Sequence, residues 1–226
     1  MSWWDRFLAW LEKVFGGNVV VIPEPEPPEP PTKPDPIKPP SGNPDRGTAE
    51  WYASLLERCK IREDKSATVR AAANLVYSGK ERYLMVARTI GCPAWLIGAW
   101  HNLESGCDFR GCLHNGERII GTGRVTTLVP AGRGPFKVWE ESGLDALKGF
   151  KGMSDWSPGM CMKRSEAFNG MGYFKRGIPS PYVWSMTTEY VRGKYVADGV
   201  FDAMAVSKQV GVAAIYKDLE ARGMLF

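Results

Sequence analysis

The sequence contains little that could hold a metal ion or a cofactor. Only two of its 226 residues are histidines, His101 and His114, and neither stands in a ligand pattern such as HExxH. The five cysteines include no CxxC pair, which argues against a zinc ribbon and against a complete disulfide framework. The segment 121–124, Gly-Thr-Gly-Arg, is too short for a phosphate-binding loop. The sequence therefore predicts no metal ion and no cofactor.

The cysteines are typical of reduced thiols, and one pair could form a small disulfide ring. Cys107 and Cys112 are close enough in sequence for that bond in an oxidising compartment, and the sequence leaves it open. The full set is Cys59, Cys92, Cys107, Cys112 and Cys161.

Long apolar runs and dense basic patches are missing too. No stretch reaches the roughly 18 to 20 apolar residues that cross a membrane. The net charge of +4 is mild and the basic residues are spread along the chain, so we expect no nucleic-acid partner. A polyanionic cell wall or envelope surface would suit the same charge.

The first 20 residues predict an amphipathic helix. Its apolar residues fall on one stripe, and charges such as Asp5, Arg6, Glu12 and Lys13 interrupt the run, so no secretory signal or other export route is visible. Two roles fit equally well: docking on the main domain, or anchoring to a membrane or a protein partner. The stripe consists of Trp3, Trp4, Phe7, Leu8, Leu11, Val14 and Phe15.

Residues 21–46 predict a proline-rich linker. Between Pro23 and Pro44 the chain carries 11 of its 17 prolines, which excludes a helix or a central strand. We expect a stiff polyproline spacer.

Residues 47–226 predict one mainly α-helical α+β domain with two lobes and a cleft between them. The glycine-rich segment 106–138 breaks the helical pattern and predicts a smaller lobe of loops with a short hairpin. The predicted helices are Ala49–Lys60, Ser66–Tyr77, Glu81–Ile90, Pro93–Ser105, Trp139–Lys148, Pro158–Phe168, Pro181–Tyr190 and Ala203–Arg222.

Glu104 is the residue best suited to chemistry. It is the only carboxylate of an apolar helix and stands in its last turn, with Ile97, Trp100 and His101 on the same face. Apolar surroundings and the negative end of the helix dipole both disfavour the charged form, so we expect a raised pKa, as a general acid needs. A glutamate that merely marks where the helix reaches solvent is the simpler alternative.

Several separated segments resemble one group of proteins. Glu104-Ser105-Gly106 and the later run Glu166 to Tyr173 resemble the Glu-Ser and Ala-Tyr-Asn-x-Gly signatures of goose-type lysozymes and lytic transglycosylases. A wider set resembles phage endolysins of lysozyme type, over about residues 80–220. That set comprises His114–Gly116, Pro130–Arg133, Trp139–Leu147, Phe168–Tyr173, Ser180–Ser185 and Gly193–Gly199.

The resemblance implies a lysozyme-like fold and cleavage of peptidoglycan glycan strands. It implies that Glu104 protonates the β-1,4 glycosidic oxygen between N-acetylmuramic acid and N-acetylglucosamine. His114 belongs to the shared motifs and is a candidate substrate-binding residue. The resemblance also implies that four side chains face the sugar cleft, namely Asn169, Tyr173, Tyr182 and Trp184.

A hydrolase of this kind needs a second carboxylate, whereas a lytic transglycosylase lets a hydroxyl of the substrate attack. Glu140 is the first candidate and Glu141 the second, since both begin a helix just after the loop lobe. Ordinary helix-start acidity explains either one equally simply. The remaining candidates are Asp108 and Glu117, with Thr126 or Thr127 as hydrogen-bonding holders of a water.

Four functions are consistent with these features. The first is a muramidase that causes bacterial lysis, and the second is a transglycosylase that forms 1,6-anhydro products. The third is a peptidoglycan peptidase or amidase that uses Cys107 with His101 or His114. The fourth is a non-catalytic wall-binding module. Each would be made in the bacterial host cytoplasm and would act in the periplasm or cell wall.

Overall fold

Helices make up about half of the chain that the structure describes. The computed structural model describes residues 45–197 and 199–226. The predicted helix over residues 1–20 and all but the last two residues of the predicted linker lie outside these ranges. The described residues belong to one compact unit, mainly α-helical with a small sheet, which confirms the coarse fold class. Within it, no helix combines the length and apolar character needed to cross a bilayer.

The first five helices lie close to their predicted positions. Short 3₁₀ turns at Glu63–Lys65 and Lys148–Phe150 lie beside α2 and α5. Hydroxyl capping starts the first helix, where the Trp51 N–H donates to the Thr48 hydroxyl at 3.1 Å. The five helices are α1 Ala49–Arg58, α2 Ser66–Ser78, α3 Lys80–Ile90, α4 Ala94–Ser105 and α5 Trp139–Leu147.

Helix α4 is the centre of the core. The helix has apolar residues on all its faces, and nearly its whole length is buried. It packs against α2, α3 and the C-terminal helix. It follows Pro93 and ends at Gly106, whose left-handed backbone (φ 63°) glycine adopts without strain. Only the last turn approaches the surface, and there Glu104 is partly exposed.

The glycine-rich segment 106–138 forms loops, and the predicted hairpin within it is wrong. A single antiparallel bridge joins Gly111 to Arg118, and six glycines of the segment take positive φ values, which a continuous strand does not adopt. The two-stranded antiparallel sheet lies elsewhere, with β1 Lys194–Ala197 paired to β2 Val200–Asp202. Asp198, in the connection between them, is not among the described residues.

Two of the later predicted helices are much shorter than expected. The predicted helix Pro181–Tyr190 stops at Trp184, because Ser185 has an extended ψ of 144° and Met186 then has a positive φ of 67°. The predicted helix Ala203–Arg222 starts only at Val212, since β2 and a loop occupy the preceding residues. The last four helices are α6 Pro158–Phe168, α7 Gly172–Arg176, α8 Pro181–Trp184 and α9 Val212–Ala221.

Candidate active site

A cavity of about 490 Å³ opens where the end of α4 meets the glycine-rich loops. Glu104 contributes from α4, and it is the one carboxylate that the described residues place in the cavity wall. The remaining wall is contributed by the loops after α4, by α5 and by the C-terminal end of α6. These residues are His114, Asn115, Val129, Pro130, Ala146, Phe168, Asn169 and Gly170.

The Glu104 carboxyl has the electrostatic surroundings of a proton donor. Burial is the dominant cause that raises its pKa from 4.5 to about 7, and a hydrogen bond from Tyr182 partly opposes it. The Tyr182 hydroxyl donates to Glu104 Oε1 at 2.9 Å. Burial, and then the nearby Glu104 charge, raise the pKa of Tyr182 well above its usual range, so the phenol remains a donor. Of the residues expected at the cleft, Tyr182 therefore contacts the acid directly.

His114 lies on the same cavity and is held in a fixed orientation. Its Nε2 is 2.9 Å from Asp145 Oδ2, its Nδ1 is 3.5 Å from Ser142 Oγ, and its ring stacks on Phe136 at 5.6 Å. Burial lowers the pKa of His114, although the Asp145 carboxylate opposes the shift. Ser142, His114 and Asp145 have the residue types of a catalytic triad. Ser142, however, is fully buried and its hydroxyl accepts the Leu113 N–H, so its role is structural.

Asn169 lies at the end of α6, well after the loop residues of the cavity wall in the sequence. It is the C-cap of that helix, is exposed, and lines the cavity together with Phe168 and Gly170. Phe168 stacks on Trp100 of α4 with ring centres 4.8 Å apart, which fixes this part of the wall against the helix that carries Glu104. An exposed amide beside an aromatic ring can bind an acetamido sugar.

Four predicted substrate-binding residues lie outside the cavity wall: Tyr182, which contacts Glu104 from behind the wall, and Tyr173, Trp184 and Thr126. Tyr173 is buried, and its hydroxyl accepts the N–H of Tyr195 on β1 at 3.0 Å. Trp184 is fully buried and stacks with Tyr52. Thr126 is buried too. Its hydroxyl donates to the Pro130 carbonyl at 2.6 Å and accepts the N–H of Arg133 at 2.9 Å. Tyr173 and Thr126 hold backbone segments and Trp184 packs in the core, so none of the three side chains faces the cavity.

The two candidates for a second carboxylate are engaged elsewhere. Glu140 is 1% exposed and forms a two-point ion pair with Arg82 of α3, at 2.6 and 2.8 Å. Glu141 accepts the Lys137 N–H at 2.5 Å at the start of α5. Neither lines the cavity that contains Glu104. Helix-start capping and core electrostatics therefore account for both residues.

The cysteine alternative lacks an activated thiol. Burial raises the pKa of Cys107 to about 11, against a hydrogen bond from Tyr83 that lowers it, whereas a nucleophilic thiol needs a lowered pKa. His101 is fully buried between Tyr83 and the loop after α4, and burial lowers its pKa to about 4. All five cysteines are unpaired in the structure.

The sequence reasoning missed Asp145 and Phe168 as parts of the site. Both stand inside the shared motifs, and the spacing of Asp145 three residues after Ser142 on α5 was the available signal. Within residues 45–197 and 199–226, no cluster of three potential ligands is placed to hold a metal ion. Comparison of the chain with protein-family models, with curated proteins and with solved structures gives no match.

Proposed function

We propose that the chain is a glycosidase that cleaves the β-1,4 bond between N-acetylmuramic acid and N-acetylglucosamine in peptidoglycan. The observation that carries this proposal is the carboxyl of Glu104, which lies in a cavity wall with a pKa of about 7. At neutral pH about half of such groups retain a proton, and a donor with a pKa near the working pH transfers it efficiently. The resemblance of the surrounding motifs to lysozyme-type endolysins supports the same reaction.

The geometry suits protonation of a glycosidic oxygen. Tyr182 donates to Glu104 Oε1, which leaves Oε2 to carry the proton and deliver it to the leaving oxygen. When the bond between C1 and this oxygen breaks, the electron pair stays with the oxygen and Glu104 becomes a carboxylate. The phenol of Tyr182 then stabilises that carboxylate, so the hydrogen bond strengthens as charge develops.

The placement of the cavity also supports the proposed two-lobed, lysozyme-like arrangement. One side of the wall comes from the helical body through Glu104 and Phe168, and the other from the glycine-rich loops through His114 and Val129. Apolar groups suit the apolar faces of pyranose rings, and the amide of Asn169 suits an acetamido group. A glycan strand would therefore cross between the lobes.

A transglycosylase is the second candidate, favoured by one observation. Among the described residues, Glu104 alone supplies a carboxylate to the wall, while Glu140 and Glu141 have other partners. With no second carboxylate to activate water, the substrate's own 6-hydroxyl can attack C1 and close a 1,6-anhydro ring. Mass spectrometry of released muropeptides distinguishes this product from a free reducing end.

The decisive test replaces Glu104 by Gln and measures turbidity loss of purified peptidoglycan. We expect activity to fall at least about 100-fold, which is the lower end of the usual contribution of general acid catalysis. Glu57→Gln is the matched control, since Glu57 is exposed on α1 and should leave activity unchanged. Full activity of the Glu104→Gln variant would exclude Glu104 as the acid and leave a Cys107-dependent enzyme. Absence of turbidity loss with the wild-type protein would instead leave the wall-binding module.

We also propose that the protein acts at the cell wall, with residues 1–20 as its attachment to a membrane or to a protein. The test compares the fractionation of the full chain with that of a chain starting at Gly47. Enrichment of the full chain in the membrane fraction is expected, and equal partition of the two would remove the anchor.

A further inference from the structure

The tripeptide Asn115-Gly116-Glu117 contacts both the end of α4 and the loop at residues 127–129. Its central residue lies against the backbone of the proposed acid: a Cβ added to Gly116 would be 2.0 Å from the Glu104 carbonyl oxygen. Gly116 also has φ +74°, a conformation that favours glycine. The backbone of the tripeptide therefore packs against the last turn of α4, which carries Glu104.

The side chain of Glu117 holds the opposite loop. Its Oε2 accepts the N–H groups of Thr127 and Leu128 at 2.8 and 3.0 Å, and its Oε1 accepts the Thr127 hydroxyl at 2.9 Å. The backbone bonds from Leu128 and Thr127 are the largest causes that lower the pKa of Glu117. The carboxylate therefore satisfies two loop N–H groups, in a segment without regular secondary structure.

Asn115 binds backbone carbonyl groups of the same loop. Its Nδ2 donates to the carbonyl oxygens of Leu128 at 3.1 Å and Val129 at 3.4 Å. Its Oδ1 accepts the Glu117 N–H at 3.1 Å, so the two side chains support each other. The segment 126–133, which we call the cleft wall loop, is thereby held on both its N–H and its carbonyl sides.

The cleft wall loop presents apolar surface at the cavity. Val129 and Pro130 line the cavity beside Glu104, and Val129 is 89% exposed. Leu128 is 57% exposed next to it. Exposed aliphatic groups at the rim of a polar cavity gain stability when a ligand covers them.

We propose that Asn115 and Glu117 are positioning residues that set the distance between Glu104 and the cleft wall loop. They touch no reacting atom; they fix the loop through the bonds just described, while Gly116 fixes the tripeptide to Glu104. The part concerning substrate rests on the proposed glycosidase function. Loss of either side chain should loosen the wall that binds the glycan and leave the acid itself in place.

The experiment combines hydrogen exchange with kinetics on Glu117→Ala, with Glu117→Gln as the conservative variant. In Glu117→Ala we expect exchange of the loop N–H groups of Thr127 and Leu128 to accelerate about tenfold, the effect of losing charge-assisted hydrogen bonds at an exposed site. We expect KM for solubilised glycan strands to rise by about the same factor, with kcat within about twofold. Glu117→Gln, which keeps one carbonyl acceptor, should lie between.

Glu57→Ala is the control, because the exposed Glu57 side chain has no hydrogen bond or ion pair within the described part of the chain. Unchanged loop exchange in Glu117→Ala would overturn the proposal whether or not the protein is a glycosidase. Faster exchange with unchanged KM would overturn the positioning role as well. If wild-type protein cleaves no glycan, the function has failed separately, and the exchange result still decides whether Glu117 holds the loop.

Discussion

The hydrogen bond between Tyr182 and Glu104 gives a prediction with a defined sign. Tyr182 is 7% exposed and its hydroxyl donates to Glu104 Oε1 at 2.9 Å, so little water competes for the carboxylate. Replacing Tyr182 by Phe removes a group that favours the charged form, while the burial that disfavours charge remains. A hydrogen bond to a charged group contributes about 1.5 to 3 kcal/mol, or roughly one to two pKa units.

The pH profile of kcat/KM on purified peptidoglycan is the measurement. Wild-type activity should fall as the pH rises through about 7, since the proton donor is lost there. In Tyr182→Phe that fall should move upward by roughly one to two pH units, with a lower maximum because the developing carboxylate loses its donor.

Tyr216→Phe provides a matched control for this experiment. Tyr216 of α9 donates to Glu220 Oε1 at 2.6 Å, so the same hydroxyl is removed from a tyrosine–glutamate pair outside the cavity wall. Its pH profile should match that of wild type. A Tyr182→Phe profile that stays in place or moves to lower pH would refute the assignment of Tyr182 as a donor that favours ionised Glu104.

Three further predictions concern stability and the roles of individual residues. The raised pKa of Glu104 means that its stabilising contribution is fully present below about 4.5 and lost as the pH rises through about 7. Urea titrations should therefore show that Glu104→Gln gains up to about 3 kcal/mol over wild type between pH 4.5 and 8, and a constant difference would contradict the burial argument. Glu140→Gln should lower the unfolding free energy by about 3 kcal/mol by leaving the Arg82 charge without its partner, with kcat nearly unchanged; a 100-fold loss of kcat in folded protein would restore Glu140 as a catalytic candidate. Gly116→Ala should cost at least about 2 kcal/mol in thermal or urea unfolding, since its positive φ and its approach to the Glu104 carbonyl both exclude a Cβ; wild-type stability would show that the contact can relax.

The sequence allowed prediction of elements whose signals are local. Helix α4 carries its own start and stop, Pro93 and Gly106, and an apolar sequence too continuous for a surface helix. The raised pKa expected for Glu104 followed from the same residues and agrees with its surroundings in the structure. Such features depend on neighbours along the chain, which a sequence contains directly.

Features that depend on distant partners were predicted less well. Glu140 looked like an active-site carboxylate because the sequence does not reveal that Arg82, 58 residues earlier, lies against it. Tyr173 and Trp184 belong to motifs, but burial against β1 and Tyr52 turns them into packing residues. The predicted length of the helix Pro181–Tyr190 was wrong for a related reason, since neither Ser185, where the chain becomes extended, nor Met186, with its positive φ, is a glycine that the sequence could have flagged.

The closed shape of the cleft wall loop has a consequence for how this site could change over time. Its two ends meet where the Thr126 N–H donates to the Arg133 carbonyl at 2.9 Å, and Arg133 is tied to Asp145 of α5. Insertions or substitutions between these ends would alter the surface shown to a ligand while the two attachment points and the helical body stayed in place. The loop is thus a natural position for variation in ligand preference, and for grafting a different wall onto the same acid.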